Sequence, residues 1–448
     1  MLNTLRQNSF ILFGILLSTA AYWYVVHEVD RTNSLALFCS CAVAFAGYFC
    51  WIRQPLSFYT ALFVGVGMRF IFWDSLPELS QDFYRFLWDG KLQTESINPY
   101  AFKPIELIEN RIGLVYQHLF EGMGSLSQQH YSNYPPASQW LYYLSARLGG
   151  ADLLTQIAVI RALLIGGDIA AFVALRKILR HYRLPLHYAL FYFLNPLLLL
   201  EGSWNLHGEG LMLSATAWGI WFYLQKRWWA SGGFFALGVA LKLLPLLWLP
   251  ILLQPLKWKE RRLLVGYGGL WSLLFWMPYF SIEYGNHFLE SILLWFSNFE
   301  FNASIYYLVR EWGYYDKGYN IIRKLGKITP WVLTALVILF SLWPQRGTNN
   351  RIWARALGLI SIYYMTATTV HPWYLLHLVF LGVLTPYRYA ILWSATVLLS
   401  YSTYADPSFI EPTWLVWVEY LPVYGLLLWE ILKKPTFRAS ANGLFLGR

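Results

Sequence analysis

Residues 9–26 read SFILFGILLSTAAYWYVV, a run with no charged side chain. A run of that length spans the hydrocarbon core of a bilayer if it is helical. A helix satisfies every backbone group within its own segment, and the run lacks the every-second-residue alternation of a barrel strand. Only Arg6 stands ahead of it, no A-x-A cleavage pattern follows, and more apolar runs come after. The spacing therefore predicts a retained first span and not a removed leader.

Working outward, the same pattern recurs to the far end. Further spans are predicted near 35–52, 57–73, 153–175, 184–200, 209–225, 263–280, 329–343, 353–370, 372–386, 388–403 and 413–432. Residues 229–254 are read as a hairpin of two short helices broken around Pro245, because one helix would carry KWKERR (257–262) away from the side of the other basic loops. With that hairpin counted as two, about fourteen crossings are expected, within a range of about 12–14. Composition agrees. Of 448 residues, 57% are hydrophobic and 13% charged, against about 25% charged in an ordinary soluble domain, and mean hydropathy is +0.41. The fold class expected is all-α, a single integral membrane domain over 1–448.

The net charge of +10 would suggest nucleic acid in a soluble protein. Here the bases fall in alternate short connections: Arg6, Arg53, RKILRHYR (176–183), QKR (225–227), KWKERR, PQRGTNNRIWAR (344–355), Arg388 and KKPTFR (433–438). That is topological bias, which puts these loops in the cytoplasm and leaves no nucleic-acid partner to explain. Cys39, Cys41 and Cys50 lie in one apolar run and read as small core residues, not as a disulfide or metal set. A long insertion, 74–152, behaves differently. Its 74–135 part holds eight acids (Asp74, Glu78, Asp82, Asp89, Glu95, Glu106, Glu109, Glu121) against four bases (Arg85, Lys91, Lys103, Arg111). It is expected outside, together with the 281–328 loop, the turn at His371 and 404–412. ASQWLYYLSARLGG (137–150) is short for a span and is read as a juxtamembrane helix at the interface.

Polar clusters gather on that expected outer side. In SQDFYRFLWDGKLQTESINPY (80–100), a helix beginning near Ser80 sets Asp82, Arg85 and Asp89 on one face among Tyr84, Phe86 and Trp88. The spacing suits a salt-bridge ladder on a solvated face. It equally suits a partly desolvated carboxylate oriented by an arginine for general-base work. NPLLLLEGSWNLHGEGLML (195–213) repeats Glu201, Asn205 and Glu209 every four residues, with His207 on the adjoining face. It is read either as cavity lining or as a turn between spans, and the i, i+2 pair His207 and Glu209 is poorly spaced for a helical metal site. Lys242 is alone in its apolar run, as a snorkelling lysine or as a partner for a lipid-linked phosphate. Asn302, Ser304, Arg310, His371 and Tyr374 are offered for sugar hydroxyls or phosphate.

In order along the chain, SQDFYRFLWDG, SINPY, NYPPASQWL (133–141), NPLLLLEGSWNLHGEG, KLLP (242–245) and HPWY (371–374) resemble the motifs of the GT-C class polyprenyl-phosphate-sugar glycosyltransferases. The set is most similar to the bacterial polyprenyl-phosphate-mannose mannosyltransferases and to the first mannosyltransferase of GPI-anchor synthesis. The resemblance implies an inverting transfer of a sugar, mannose in that family, from a polyprenyl phosphate to a hydroxyl of a glycan, glycolipid or protein on the extracytoplasmic face. It implies no cofactor, and a transfer that is metal-independent or only weakly metal-dependent, with no metal ligand assigned. Localisation in the inner membrane, were the source bacterial, goes with it. By position, Asp82 takes the base role. Tyr84, Arg85, Trp88, Asn98, Tyr134, Glu201, Asn205, His207, Glu209, Lys242, Asn302, Ser304, Arg310, His371, Trp373 and Tyr374 fall on substrate-binding motifs. The bacterial pattern often has two adjacent acids where this chain has Gln81 and Asp82, which leaves a single base. A departing lipid phosphate needs cations or donors, and Lys242, Arg310, His371, Arg323, Lys324 and Lys327 are available. The rival reading is a lipid or solute transporter, which would show inverted repeats with paired broken helices. No such repeat is evident.

Overall fold

A computed structural model describes residues 2–52, 56–110, 116–343, 351–406 and 408–437, as backbone alone for 2–8 and 295–297. Arg53, Arg111, residues 344–350, Arg438 and the side chain of Arg6, all used above as charge markers, lie outside the described residues. The chain is all-α: among the described residues the only extended pairing is an isolated parallel bridge between Phe301 and Thr369. Five helices are long and apolar enough to cross a bilayer alone, within Ser9–Glu28, Ser34–Trp51, Leu153–His181, Ile322–Leu342 and Thr413–Lys433. A sixth is possible in Trp258–Tyr279 and Ile282–Leu294, bent by 103° at the break between them. The protein is an integral membrane protein of several spans.

The other expected spans are built from shorter pieces, and local chemistry explains the breaks. The 184–200 run is interrupted at Asn195 and Pro196, where the Asn195 side chain accepts the Leu197 N–H at 2.9 Å and starts a new turn. The expected 229–254 hairpin is one helix, Trp228–Leu241, followed by an extended residue at Lys242 and two short 3-10 turns carrying Pro245 and Pro250. Proline removes the N–H that a continuing helix would use.

The insertion has its own apolar core. Phe83, Phe86, Leu87, Trp88 and Leu92 of the helix Asp82–Thr94 pack with Leu141 and Tyr142 of the helix Pro136–Gly149, and with Ile157, Ile160 and Leu164 of Leu153–His181. Each fully buried side chain of this size stabilises by about 1.5–3 kcal/mol. The 136–149 segment, expected at the interface, is this packing helix. Gly90 makes the approach possible, since a Cβ there would lie 2.3 Å from the Tyr142 carbonyl oxygen.

Two buried arginines brace the bundle, and the second also ties the insertion to it. Arg69 pairs with Asp168 at 2.9 Å and donates to the Gly65 and Phe193 carbonyls. Arg161 donates to the carbonyls of Trp73, Ser75, Ser203 and Trp204, between 2.7 and 3.3 Å. It thereby fixes the entry to the insertion against the turn that carries Glu201. Arg388, expected in a basic loop, is buried, with its guanidinium donating to the Gly382, Thr385 and Tyr387 carbonyls.

Candidate active site

The NPLLLLEGSWNLHGEG stretch folds as a π turn, Leu199–Trp204, and then reverses through Leu206, whose φ of 64° is left-handed. Both features are uncommon for such residues and concentrate at functional sites. Their effect is to gather Glu201, Asn205 and His207, which all three turn inward and are buried. The Asn205 side chain donates to Glu201 at 3.3 Å and accepts the Leu79 N–H at 3.2 Å, linking this turn to the start of the insertion.

Asp82 opens its helix, where the dipole favours a carboxylate. Its backbone N–H donates to Ser80 Oγ at 3.2 Å. Its side chain is about a third exposed (32%), and its Oδ2 faces His207 Nε2 at 3.6 Å. That is too long for a hydrogen bond but close for an ion pair. On the other edge of the ring, His207 Nδ1 lies 3.1 Å from Glu201 Oε2. Glu201 Oε1 accepts the Tyr401 hydroxyl at 2.6 Å. Four groups, Tyr401, Glu201, His207 and Asp82, thus form one polar line from the buried interior to an accessible carboxylate.

His207 also ends a column of rings. Trp373 stacks on it at 3.6 Å, His371 on Trp373 at 4.4 Å, and Phe301 on His371 at 4.8 Å. Beside the column, Lys242 leaves its helix in an extended conformation, forms an ion pair with the buried Glu209 and lies 5.9 Å from the Tyr374 ring centre.

Burial pushes the Asp82 carboxyl up, but the His207 ring, helped by Lys242, pulls it further down, to below its ordinary range. Burial lowers His207, and the facing Asp82 and Glu201 more than offset this, leaving it raised. His371, buried and further from a carboxylate, is pushed down to about 3 and stays neutral. The site thus offers an ionised carboxylate backed by an imidazolium, a lysine ammonium and an aromatic face. Among the described residues no three His, Cys, Asp or Glu side chains are grouped to hold a metal ion.

The sequence-predicted residues divide into three sets. Asp82, Glu201, Asn205, His207, Glu209, Lys242, His371, Trp373 and Tyr374 converge as described. Tyr84, Arg85, Trp88, Asn98 and Tyr134 serve the insertion. Arg85 donates to Asp89 at 2.8 Å and to the Ser127 and His130 carbonyls, so it neither orients nor neutralises Asp82. Trp88 is fully buried, Tyr84 covers Gly122, the Asn98 side chain accepts the Tyr100 N–H, and the Tyr100 hydroxyl donates to the Tyr134 carbonyl. Asn302, Ser304 and Arg310 form a neighbouring group behind Phe301. There Ser304 bonds the Met365 carbonyl and Tyr424, and Arg310 pairs with Glu300 and Glu311. Sequence reasoning missed Tyr401, Arg69, Arg161 and Asp168. For the last three a signal existed, a charge inside an apolar span, which is costly and therefore meaningful.

No curated protein and no solved structure matches the chain. Residues 70–256, which carry Asp82, Glu201, His207 and Lys242, match the model of the family described as alpha-(1->6)-mannopyranosyltransferase, N-terminal domain, a match that bears out the resemblance drawn from the motif order and supports a mannosyltransferase-type glycosyltransferase.

Proposed function

We propose that the chain is a GT-C type inverting mannosyltransferase that moves a mannosyl group from a polyprenyl phosphate to an acceptor hydroxyl on the extracytoplasmic face. The observation that carries the chemistry is the accessible Asp82 carboxylate backed by His207 and Glu201. The acceptor oxygen attacks the anomeric carbon, its proton passes to Asp82, and the bond from that carbon to the phosphate oxygen breaks with its electron pair leaving on the phosphate. A phosphate monoester is a good leaving group near neutral pH, so one base suffices and no acid is required. Charge develops on the departing phosphate, which is where preorganised cations count most. Lys242 is the candidate, held in place by Glu209 with its side chain partly exposed.

The test is incubation of the purified protein with radiolabelled polyprenyl-phosphate mannose or, separately, glucose, with membrane extract as acceptor. Incorporation from the mannosyl donor is expected. Asp82→Asn is expected to lower kcat by about 10²–10⁴-fold, the usual worth of a positioned base, with the chain still folded and its melting temperature only modestly lowered. A fully active Asp82→Asn removes the base assignment, and no incorporation from either donor favours the transporter reading.

A further inference from the structure

A second polar group lies behind the ring column, between the 299–304 segment, the 3-10 run Val397–Ala405 and the start of the helix Thr413–Lys433. It encloses a small cavity lined by Asn302, Ser400, Ser402, Thr403, Glu411 and Glu419, with apolar residues closing the rest. The room inside for a water-sized guest is about 10 Å³, the space of a single occupant.

Two carboxylates share this cavity, and among the described residues neither forms an ion pair. Each accepts two hydrogen bonds, and these do not offset the burial of its charge. Glu411 accepts the Asn302 N–H at 2.5 Å and the Tyr307 hydroxyl. Glu419 Oε1 accepts the Trp393 indole N–H at 2.9 Å and the Asn302 side-chain N–H at 3.2 Å. Arg310, the nearest arginine, is engaged with Glu300 and Glu311. Two buried carboxylates without a compensating cation are expensive. Meanwhile four lining residues each carry a buried oxygen with no hydrogen-bond partner: Glu419 Oε2, Asn302 Oδ1, Ser400 Oγ and Thr403 Oγ1. The amide of Asn302 is fixed this way round because its nitrogen already donates to Val370 and Glu419.

We propose that this cavity is a binding site for one hard, oxygen-seeking cation, calcium by charge and size. Carboxylate, amide and hydroxyl oxygens are the ligands hard cations take, and softer metals would want nitrogen or sulfur. Two carboxylates match a divalent charge. A single-occupant space has no room for the waters that magnesium keeps. The position gives such an ion a structural task. It would join Asn302, next to Phe301 of the ring column, to Ser400 and Thr403, next to Tyr401 of the polar line, and to the Thr413–Lys433 helix. That positioning effect on transfer rests on the proposed function, whereas cation binding itself does not.

The experiment uses the full chain, purified in detergent and stripped with chelator. Radioactive calcium binding is measured by equilibrium dialysis, and melting is followed with millimolar calcium, magnesium or sodium at constant ionic strength. One calcium per chain, saturable, and a melting temperature raised by a few degrees are expected. Glu419→Gln is expected to weaken binding by about tenfold or more, as removal of a ligand should. Ser400→Ala, which deletes an oxygen that holds no partner, is expected to weaken it as well and serves if Glu419→Gln does not fold. Asp82→Asn is expected to bind calcium like the parent, so failure of the transferase reading leaves this result legible. Absence of saturable calcium binding, equal occupancy by magnesium or sodium, or a Glu419→Gln chain that binds as the parent does would each overturn the proposal.

Discussion

At the scale of single residues, Asp82 and His207 set each other's charge. Asp82 is depressed, so its stabilising contribution is present above its ordinary value of 3.8 and is lost as pH falls through its lower folded value. His207 is raised, so its contribution is complete below its ordinary value of 6.5 and is lost as pH rises through its higher folded value. The pair is therefore most stabilising between those two ordinary values. Replacing His207 with Gln removes the imidazolium and leaves burial to dominate Asp82. The acid limb of the kcat/KM profile is then expected to move to higher pH, and an unmoved limb would show that His207 does not control the base. Lys242→Gln keeps a donor toward Glu209 and loses the charge. A rise in KM for the lipid-phosphate donor of about tenfold is expected, from loss of a charge-assisted contact, with acceptor KM unchanged in initial-rate assays. Residue-scale reading of the sequence went furthest where a polar side chain interrupts an apolar run, as at Glu201, His207 and Glu209. It could not choose the partner of Arg85, because Asp82 at i−3 and Asp89 at i+4 are both in reach on a helix. The fold chooses Asp89, which Ser132 and Gln139 also hold.

At the scale of elements, the insertion and the turn bearing Glu201 depend on charges placed inside the helix Leu153–His181. Arg69→Ala leaves Asp168 as an uncompensated carboxylate with almost no solvent contact. A loss of about 3–5 kcal/mol is expected, as for other broken buried pairs, read as a lower melting temperature or a shortened half-life in detergent. The double replacement Arg69→Leu with Asp168→Leu should recover much of it. Gly210 belongs to the same device, since a Cβ there would lie 2.3 Å from Asp168 Oδ1. None of this was legible in hydropathy, which averages an arginine and an aspartate into the apolar run that contains them. A break was legible around Pro245, and the one at Asn195 and Pro196 was not. The π turn Leu199–Trp204 was not legible either, and Arg161, which holds the Ser203 and Trp204 carbonyls at its end, reaches it from a separate helix.

At the scale of the whole molecule, the all-α membrane character was readable from run lengths alone, as in residues 9–26. The division into crossings was less so, since apolar runs are broken within their length at Asn195 and Lys242. Topology remains testable by labelling. In a chain freed of Cys39, Cys41 and Cys50, a cysteine at Glu109 is expected to react with an impermeant maleimide in intact cells. One at Arg180 should react only after permeabilisation, and the reverse pattern would put the proposed site in the cytoplasm. Tyr401 escaped the sequence reading because it is one of 32 tyrosines with nothing local to mark it, and only the fold brings it to Glu201. That same hydrogen bond spans 200 residues, and it orders events in time during synthesis. When residues 70–256 have emerged, Asp82, Glu201, His207 and Lys242 are all made, while His371, Trp373 and Tyr401 are not yet translated. A nascent chain therefore holds the proposed base with His207 and Glu201 but without the Tyr401 hydroxyl and the rings that pack behind them, and the polar line is complete only when the later segments have been made.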